Sequence, residues 1–307
     1  MLKPALTSRV RNACARFLFL VVILTGLGTA YGSDPGISLK QASGETLTLS
    51  GPAERIITLA PNLAELVFAA GAGDKLAAVV EYSNYPAPVR EITRVGDAFR
   101  IDLERIIEIA PDLVIAWRSG NPQTALQKLE QLGITVWQIE ITRPEEIAEA
   151  VKNISIAAGT GKYGAPAARQ LQERLERLKL GNANKTRVEY FYQIAARPLY
   201  TINGQHIISR SLEVCGGQNV FSDLPALAPQ ISRESVILAN PQAMIAPETP
   251  GDKLALDVWQ DWPQLKAVQN RTMLYLPADE ISQATPRLLD SIELACKLLD
   301  GVREPIR

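Results

Sequence analysis

Two glutamates occupy the same place in two copies of one short unit. "IDLERIIEIAPDLVIA" spans Ile101 to Ala116 and "ISRESVILANPQAMIA" spans Ile231 to Ala246, with six of sixteen positions identical at a constant offset of 130. Glu104 and Glu234 each fall near the start of an expected helix, and Pro111 and Pro241 each precede an apolar strand. A carboxylate there favours the helix through its dipole. An exposed one is also a bidentate, directional partner for a guanidinium. Other chemistry-bearing residues are sparse. His206 is the only histidine, which excludes a histidine-rich zinc or manganese site, since imidazole is the main nitrogen ligand of such sites. Within "NGQHII" it is expected to be a solvated loop residue near a helix start. There is no GxSxG and no glycine-rich phosphate loop, so acyl or phosphoryl transfer is not expected. Acidic pairs such as Glu145–Glu146 are common on solvated helix faces.

Those residues sit in a chain of 307 residues, 47% apolar and 21% charged, an ordinary globular composition long enough for two domains. The N-terminus is different. Lys3, Arg9, Arg11 and Arg16 precede the apolar run "FLFLVVIL" (Phe17 to Leu24) and the small residues of "TGLGTAYGS". This is the pattern of a secretory signal peptide. The run is well short of the roughly 20 apolar residues a spanning helix needs. Cleavage is expected after Ala30 or Gly32. Cys14 lies before the run and so is not a lipid-carrying cysteine. Removing residues 1–32 leaves a net charge of −5 and no long basic run, which makes nucleic acid an unfavoured partner. Cys215 and Cys296 remain, a candidate disulfide in an oxidising compartment or two buried thiols.

The elements that must position these residues alternate. "ISLKQASGETLTL" reads as a hairpin turning at Ser43–Gly44. Strands follow in "RIITLA", "KLAAVVEY", "PDLVIAW" and "TVWQI". Helices lie between them. "NLAELVFAAG" has Asn62 as N-cap, Glu65 at N3 and Gly71 as stop. Gln123 to Leu132 turns Leu126, Leu129 and Leu132 to the core. "PEEIAEAVKNISIAAG" is the next helix. "GAPAARQLQERLERLKLGN" then reads as one long helix, with Pro166 near its start, Leu171, Leu175 and Leu178 on one stripe and Gly181 at its end. At 1.5 Å per residue it spans roughly 27 Å. Strand and helix resume through "RVEYFYQIA", "HIISRSLEVCG", "PQAMIAP", "TMLYLP" and a last helix with Leu288, Ile292, Ala295 and Leu299 on one face. The expected fold is α/β: two lobes, each a mostly parallel sheet flanked by helices, joined by one long helix, with a ligand cleft between them. The expected boundaries are 1–32 for the signal peptide, 33–162 for the first lobe, 163–182 for the connecting helix and 183–307 for the second lobe.

Export and this architecture suggest an extracytoplasmic solute-binding protein. The segments "RIITLAPNLAELVFAAG", "YSNYP", "LERI…PDLVIAWRSGN", "LEVCGGQNVF", "PQISRE" and "ATPR" resemble, in order from about Arg55 to Leu299, the periplasmic cobalamin-binding proteins of vitamin-uptake ABC transporters. These belong to the helix-linked class that also holds siderophore and haem binders. The resemblance implies a periplasmic, non-enzymatic carrier, a soluble monomer when not docked. It would capture cobalamin or a related corrinoid as transported ligand, with no cofactor, and deliver it to a homodimeric ABC permease in the inner membrane. A ferric siderophore, haem or another large chelate is the alternative ligand.

By the same resemblance Glu104 and Glu234 match the glutamates that dock the two lobes onto arginines of the two identical permease subunits, and Cys215 and Cys296 match a bridged pair. The implied ligand residues are Tyr82, Trp117, Tyr200 and the loop Asp279–Gln283, with Phe99 standing in for one ring. Aromatic faces suit a broad ligand with apolar edges. Tyr85 is the more ambiguous ring, at the turn before Pro86. The family places tryptophans where this chain has Ala98 and Ala228, and aromatics with an arginine where it has "DEISQ". These departures bear on the ligand rather than the fold.

Overall fold

A computed structural model of the protein describes residues 36–248 and 255–304. The expected signal peptide lies outside the described residues, which fall in one compact unit, Pro35–Arg307.

The first lobe opens with an antiparallel hairpin, β1 (Ile37–Lys40) and β2 (Thr46–Leu49). Then come β3 (Ile56–Thr58), α1 (Pro61–Ala69), β4 (Leu76–Val79), β5 (Thr93–Arg94), α2 (Leu103–Ile109), β6 (Leu113–Trp117), α3 (Gln123–Gln131), β7 (Val136–Ile139) and α4 (Glu145–Ala157). The five strands β5-β4-β3-β6-β7 pair in parallel in that order. In the centre of the sheet β3 and the first four residues of β6 are buried on both faces, as a parallel sheet covered by helices requires. Along α4, Ile147, Ala150, Val151 and Ile154 are buried, the three-and-four spacing of an amphipathic helix.

The long helix α5 (Gly161–Asn182) follows, about 33 Å of it. It starts two residues before the expected 163, so Pro166 lies inside it and forfeits one backbone bond. A Cβ on Gly164 would lie 2.2 Å from the Ser155 Cβ, so glycine is what lets α4 and α5 approach so closely. Leu175 is buried, and Leu171 and Leu178 pack on the core beside it.

The second lobe contains β8 (Val188–Tyr192), β9 (Ala195–Ala196), β10 (Leu199–Tyr200), α6 (Ile207–Val214), β11 (Gly217–Asn219), α7 (Arg233–Ala239), β12 (Ala243–Glu248), α8 (Lys266–Gln269), β13 (Met273–Pro277), α9 (Ala278–Ile281) and α10 (Leu288–Arg303). Its sheet is parallel, in the order β11-β8-β12-β13. One continuous apolar core holds residues of both lobes together with Ala168 and Leu175 of α5. Arg174 ties α5 to α10 through Asp290 at 2.6 Å and Glu293 at 2.7 Å. The Glu293 carboxylate, ahead of Asp290, holds the Arg174 pKa above its ordinary value. A Cys215–Cys296 disulfide, Cα to Cα 4.7 Å, pins α10 to the end of α6.

Three local expectations need correction. Pro61, not Asn62, opens α1, and extended Ala60 is its N-cap. Proline suits a first helical position because no N–H partner is needed there. Asn62 therefore caps nothing, and Glu65 turns into the protein instead of back to a cap. Leu132 falls beyond the end of α3 and is exposed, while Leu126 and Leu129 are buried as expected. His206 is half-buried rather than solvated. It is the N-cap of α6, its Nδ1 accepting from the Ile208 N–H at 3.2 Å, and burial depresses its pKa.

Candidate functional site

In both sheets the chain leaves the carboxyl ends of the strands toward the same kind of loop, the place where open α/β sheets bind ligands. Pro61 and Asn62 follow β3, Trp117 ends β6 and Ile141 follows β7. With Ile207, Ser282, Gln283 and Ala284 of the second lobe they line a cavity of about 300 Å³. It brings Trp117 and Gln283 together from opposite lobes. Trp117 is half-buried, packed against the core on one side, so it is neither a free loop ring nor a core residue.

The other expected residues, Tyr82, Phe99, Tyr200 and Asp279, are not in its lining. Tyr82 and Phe99 follow β4 and β5 and are 78% and 77% exposed. Tyr82 has φ 66°, a left-handed backbone that costs a bulky residue on the order of 1–3 kcal/mol. The Phe99 turn is built by Asp97, whose Oδ1 accepts from the Phe99 and Arg100 N–H groups at 2.8 and 2.7 Å. Those two bonds, the Arg100 one first, lower the Asp97 pKa. Tyr200 is half-buried in the small β9–β10 hairpin. The expected loop Asp279–Gln283 begins as helix α9, and Asp279 is paired with Arg287 at 3.3 Å.

No local sign in the sequence marks the polar framework beside Trp117. Asn121 is buried. Its Oδ1 accepts from the Trp117 N–H at 2.7 Å, and its Nδ2 donates to the Leu59 and Ala98 carbonyls at 2.8 and 3.0 Å. One side chain thus joins the Trp117 strand end, the end of β3 and the Phe99 turn. Between the lobes Arg287 donates to Glu65 and also lies over the Tyr85 ring, 4.2 Å from its centroid. Burial would lower the Arg287 pKa, but the Glu65 and Asp279 carboxylates outweigh it and hold it raised.

The repeated unit of the sequence is a repeated structure. Asp102 caps α2 by accepting from the Arg105 N–H at 2.9 Å, and Ser232 caps α7 by accepting from the Ser235 N–H at 3.2 Å. Both helices end in a left-handed residue, Ala110 (φ 51°) and Asn240 (φ 42°), directly before Pro111 and Pro241. Asp112 then accepts backbone N–H bonds from Glu54 and Arg55, and Gln242 from Glu189, each fastening its strand to a neighbour. Glu104 and Glu234 are exposed in the first turn of their helices. The Glu234 backbone N–H and the Ser232 hydroxyl hold the Glu234 carboxyl below its usual range. Each helix feeds the amino end of the next parallel strand, so its start, with the glutamate, lies toward the carboxyl-end side that carries the cleft.

The family model described as periplasmic binding protein matches residues 56–280. The chain belongs to that family. The vitamin B12-binding protein of Vibrio cholerae serotype O1 is 39% identical over 250 residues, which are 81% of this chain and 90% of that protein. The vitamin B12-binding protein of Photorhabdus laumondii is 34% identical over 247 residues, 80% of this chain and 88% of that one. Among solved structures, the periplasmic vitamin B12 binding protein BtuF of Vibrio cholerae superposes with a TM-score of 0.76 at 38% identity, over 83% of this chain and 99% of that one. The periplasmic heme-binding protein HutB of Vibrio cholerae shares the fold, with a TM-score of 0.69 at 21% identity over 80% of this chain and 98% of that one.

Proposed function

We propose that this binding protein captures cobalamin or a closely related corrinoid in the cleft between its lobes and delivers it to an ABC importer from the periplasm. The observation that carries this reading is the likeness to vitamin B12-binding proteins over 81% of the chain. Trp117 and Gln283 form the floor in this reading. Tyr82 and Phe99 cover the ligand from the first lobe, and Tyr200 and Asp279 flank it from the second. Glu104 and Glu234 dock the two lobes on two like subunits of a permease, which explains why one asymmetric chain builds the same unit twice. Two equivalent exposed carboxylates on the cleft side support that reading. The chain acts as a carrier, not a catalyst, and the reading takes it as a monomer exported by a signal peptide within residues 1–32.

Competition dialysis tests this. Labelled cobalamin should be retained by the protein, recovered chemically intact, and displaced by other corrinoids but not by haem or ferric siderophores. Displacement by haem or a siderophore at lower concentration than by cobalamin would move the ligand to another chelate, and chemical conversion of the cobalamin would make the protein an enzyme.

A further inference from the structure

The indole of Trp117 is held by a chain of hydrogen bonds that starts outside the cavity lining. Its Nε1 donates to the Ser119 Oγ at 3.0 Å. The same hydroxyl donates to Glu140 Oε1 at 2.9 Å, and the Ser119 backbone N–H donates to Glu140 Oε2 at 2.9 Å. The register makes this possible. Trp117 pairs with Ile139 in the parallel β6–β7 ladder, and the Arg118 N–H donates to the Ile139 carbonyl at 3.0 Å, so residues 119 and 140 leave the sheet side by side.

The direction of the chain is fixed by what each group can do. A carboxylate only accepts, an indole N–H only donates, and a hydroxyl has one proton to give. With its proton committed to Glu140, the Ser119 oxygen offers a lone pair to the indole. Bonds to an ionised carboxylate are the stronger kind. The space for the ring is reserved as well. A Cβ on Gly120 would lie 2.9 Å from the Trp117 Cδ1, inside any tolerable contact.

We propose that Glu140 and Ser119 are positioning residues that fix the Trp117 indole in its cleft-facing rotamer before ligand arrives, and thereby set how tightly the protein holds its corrinoid. This rests on the reading of the cleft as a corrinoid site. An unheld tryptophan at a strand end samples several rotamers, and ligand binding must then immobilise it. Ordering one such side chain weakens binding by a factor on the order of three to ten.

The test labels the four tryptophans with fluorine and records their resonances in the ligand-free protein, the Trp117 line being assigned by its loss in Trp117→Phe. Ser119→Ala and Glu140→Ala should each shift or broaden the Trp117 line and leave the other three in place. Cobalamin affinity should fall about three- to tenfold in both, and Ser119→Thr, which keeps the hydroxyl, should restore line and affinity together. In a Trp117→Ala background Ser119→Ala should have no further effect on affinity, because the hook acts only through the ring. An unmoved Trp117 line in Ser119→Ala overturns the proposal, and so does an affinity loss that persists in the Trp117→Ala background. Failure of the parent protein to bind cobalamin would instead overturn the corrinoid reading, and the fluorine line alone would then decide whether the hook holds the ring.

Discussion

Arg287 and Glu65 stand 222 residues apart in the chain and meet between the two lobes, with Nη2 to Oε2 at 2.9 Å and Nε to both carboxylate oxygens at 3.1 Å. Glu65 lies on α1 of the first lobe and Arg287 directly precedes α10 of the second. The pair is a strut between lobes, and both side chains are largely buried. Removing Glu65 takes away the charge-assisted bonds to Arg287, while Asp279 and the Tyr85 ring still face its guanidinium. Glu65→Ala should therefore lower the unfolding free energy by about 1.5–3 kcal/mol in urea titration, the range of a hydrogen bond to a charged group. Arg287→Lys should recover only part of the parent stability, since an ammonium does not reproduce the fork. A Glu65→Ala loss below about 0.5 kcal/mol, the range of ordinary surface changes, would mean the strut contributes nothing to folding.

His206 sets a pH dependence of its own. Its Nδ1 must be unprotonated to accept the Ile208 N–H, and burial holds its pKa below 6.5. The unfolded chain therefore takes up the proton first as pH falls. The stability from neutral His206 is complete above pH 6.5 and is lost as pH falls through 6.5 to the lower folded value. Because the chain has one histidine, His206→Asn, which keeps a good capping side chain, should flatten the dependence of the melting temperature on pH below 6.5. A slope surviving in that variant would assign the effect to other groups.

The Cys215–Cys296 bridge closes a sequence separation of 81 residues. Its loss in Cys215→Ser/Cys296→Ser should destabilise the protein by roughly 2–5 kcal/mol, with no effect on a correctly folded cleft. Thiol titration of denatured, unreduced protein isolated from an oxidising compartment should find no free thiol. Two free thiols would refute the bridge.

Charge reversal separates docking from helix capping at the repeated glutamates. The Glu104→Arg/Glu234→Arg double variant should bind ligand like the parent and fail in uptake, because like charges opposed at an interface cost several kcal/mol. Each single reversal should give a similar partial defect if the partner is two-fold symmetric. Normal uptake by the double variant would reduce both glutamates to their favourable placement in a helix first turn.

What was legible in the sequence was local or periodic. Strand–helix alternation placed both parallel sheets. The offset of 130 placed Asp102 and Ser232, Ala110 and Asn240, and Asp112 and Gln242 in matching structural roles, although none of those pairs is identical. What was not legible was long-range polar pairing. Glu65 three residues after Asn62 reads as a capping box, and nothing local announces that its partner is Arg287. Pro61 did carry the right signal, since proline marks a first helical turn. Asn121, Ser119 and Glu140 are ordinary loop residues by sequence. Their role comes from the β6–β7 register, which a single sequence does not specify.

The most direct test is calorimetric titration of cobalamin into the chain from Ser33 onward, alongside Trp117→Ala. One saturable site per chain is expected in the parent, with binding weaker by about 1–3 kcal/mol in the variant as the ring's apolar area stays wet. No saturable binding of cobalamin by a parent protein that melts cooperatively would contradict the account.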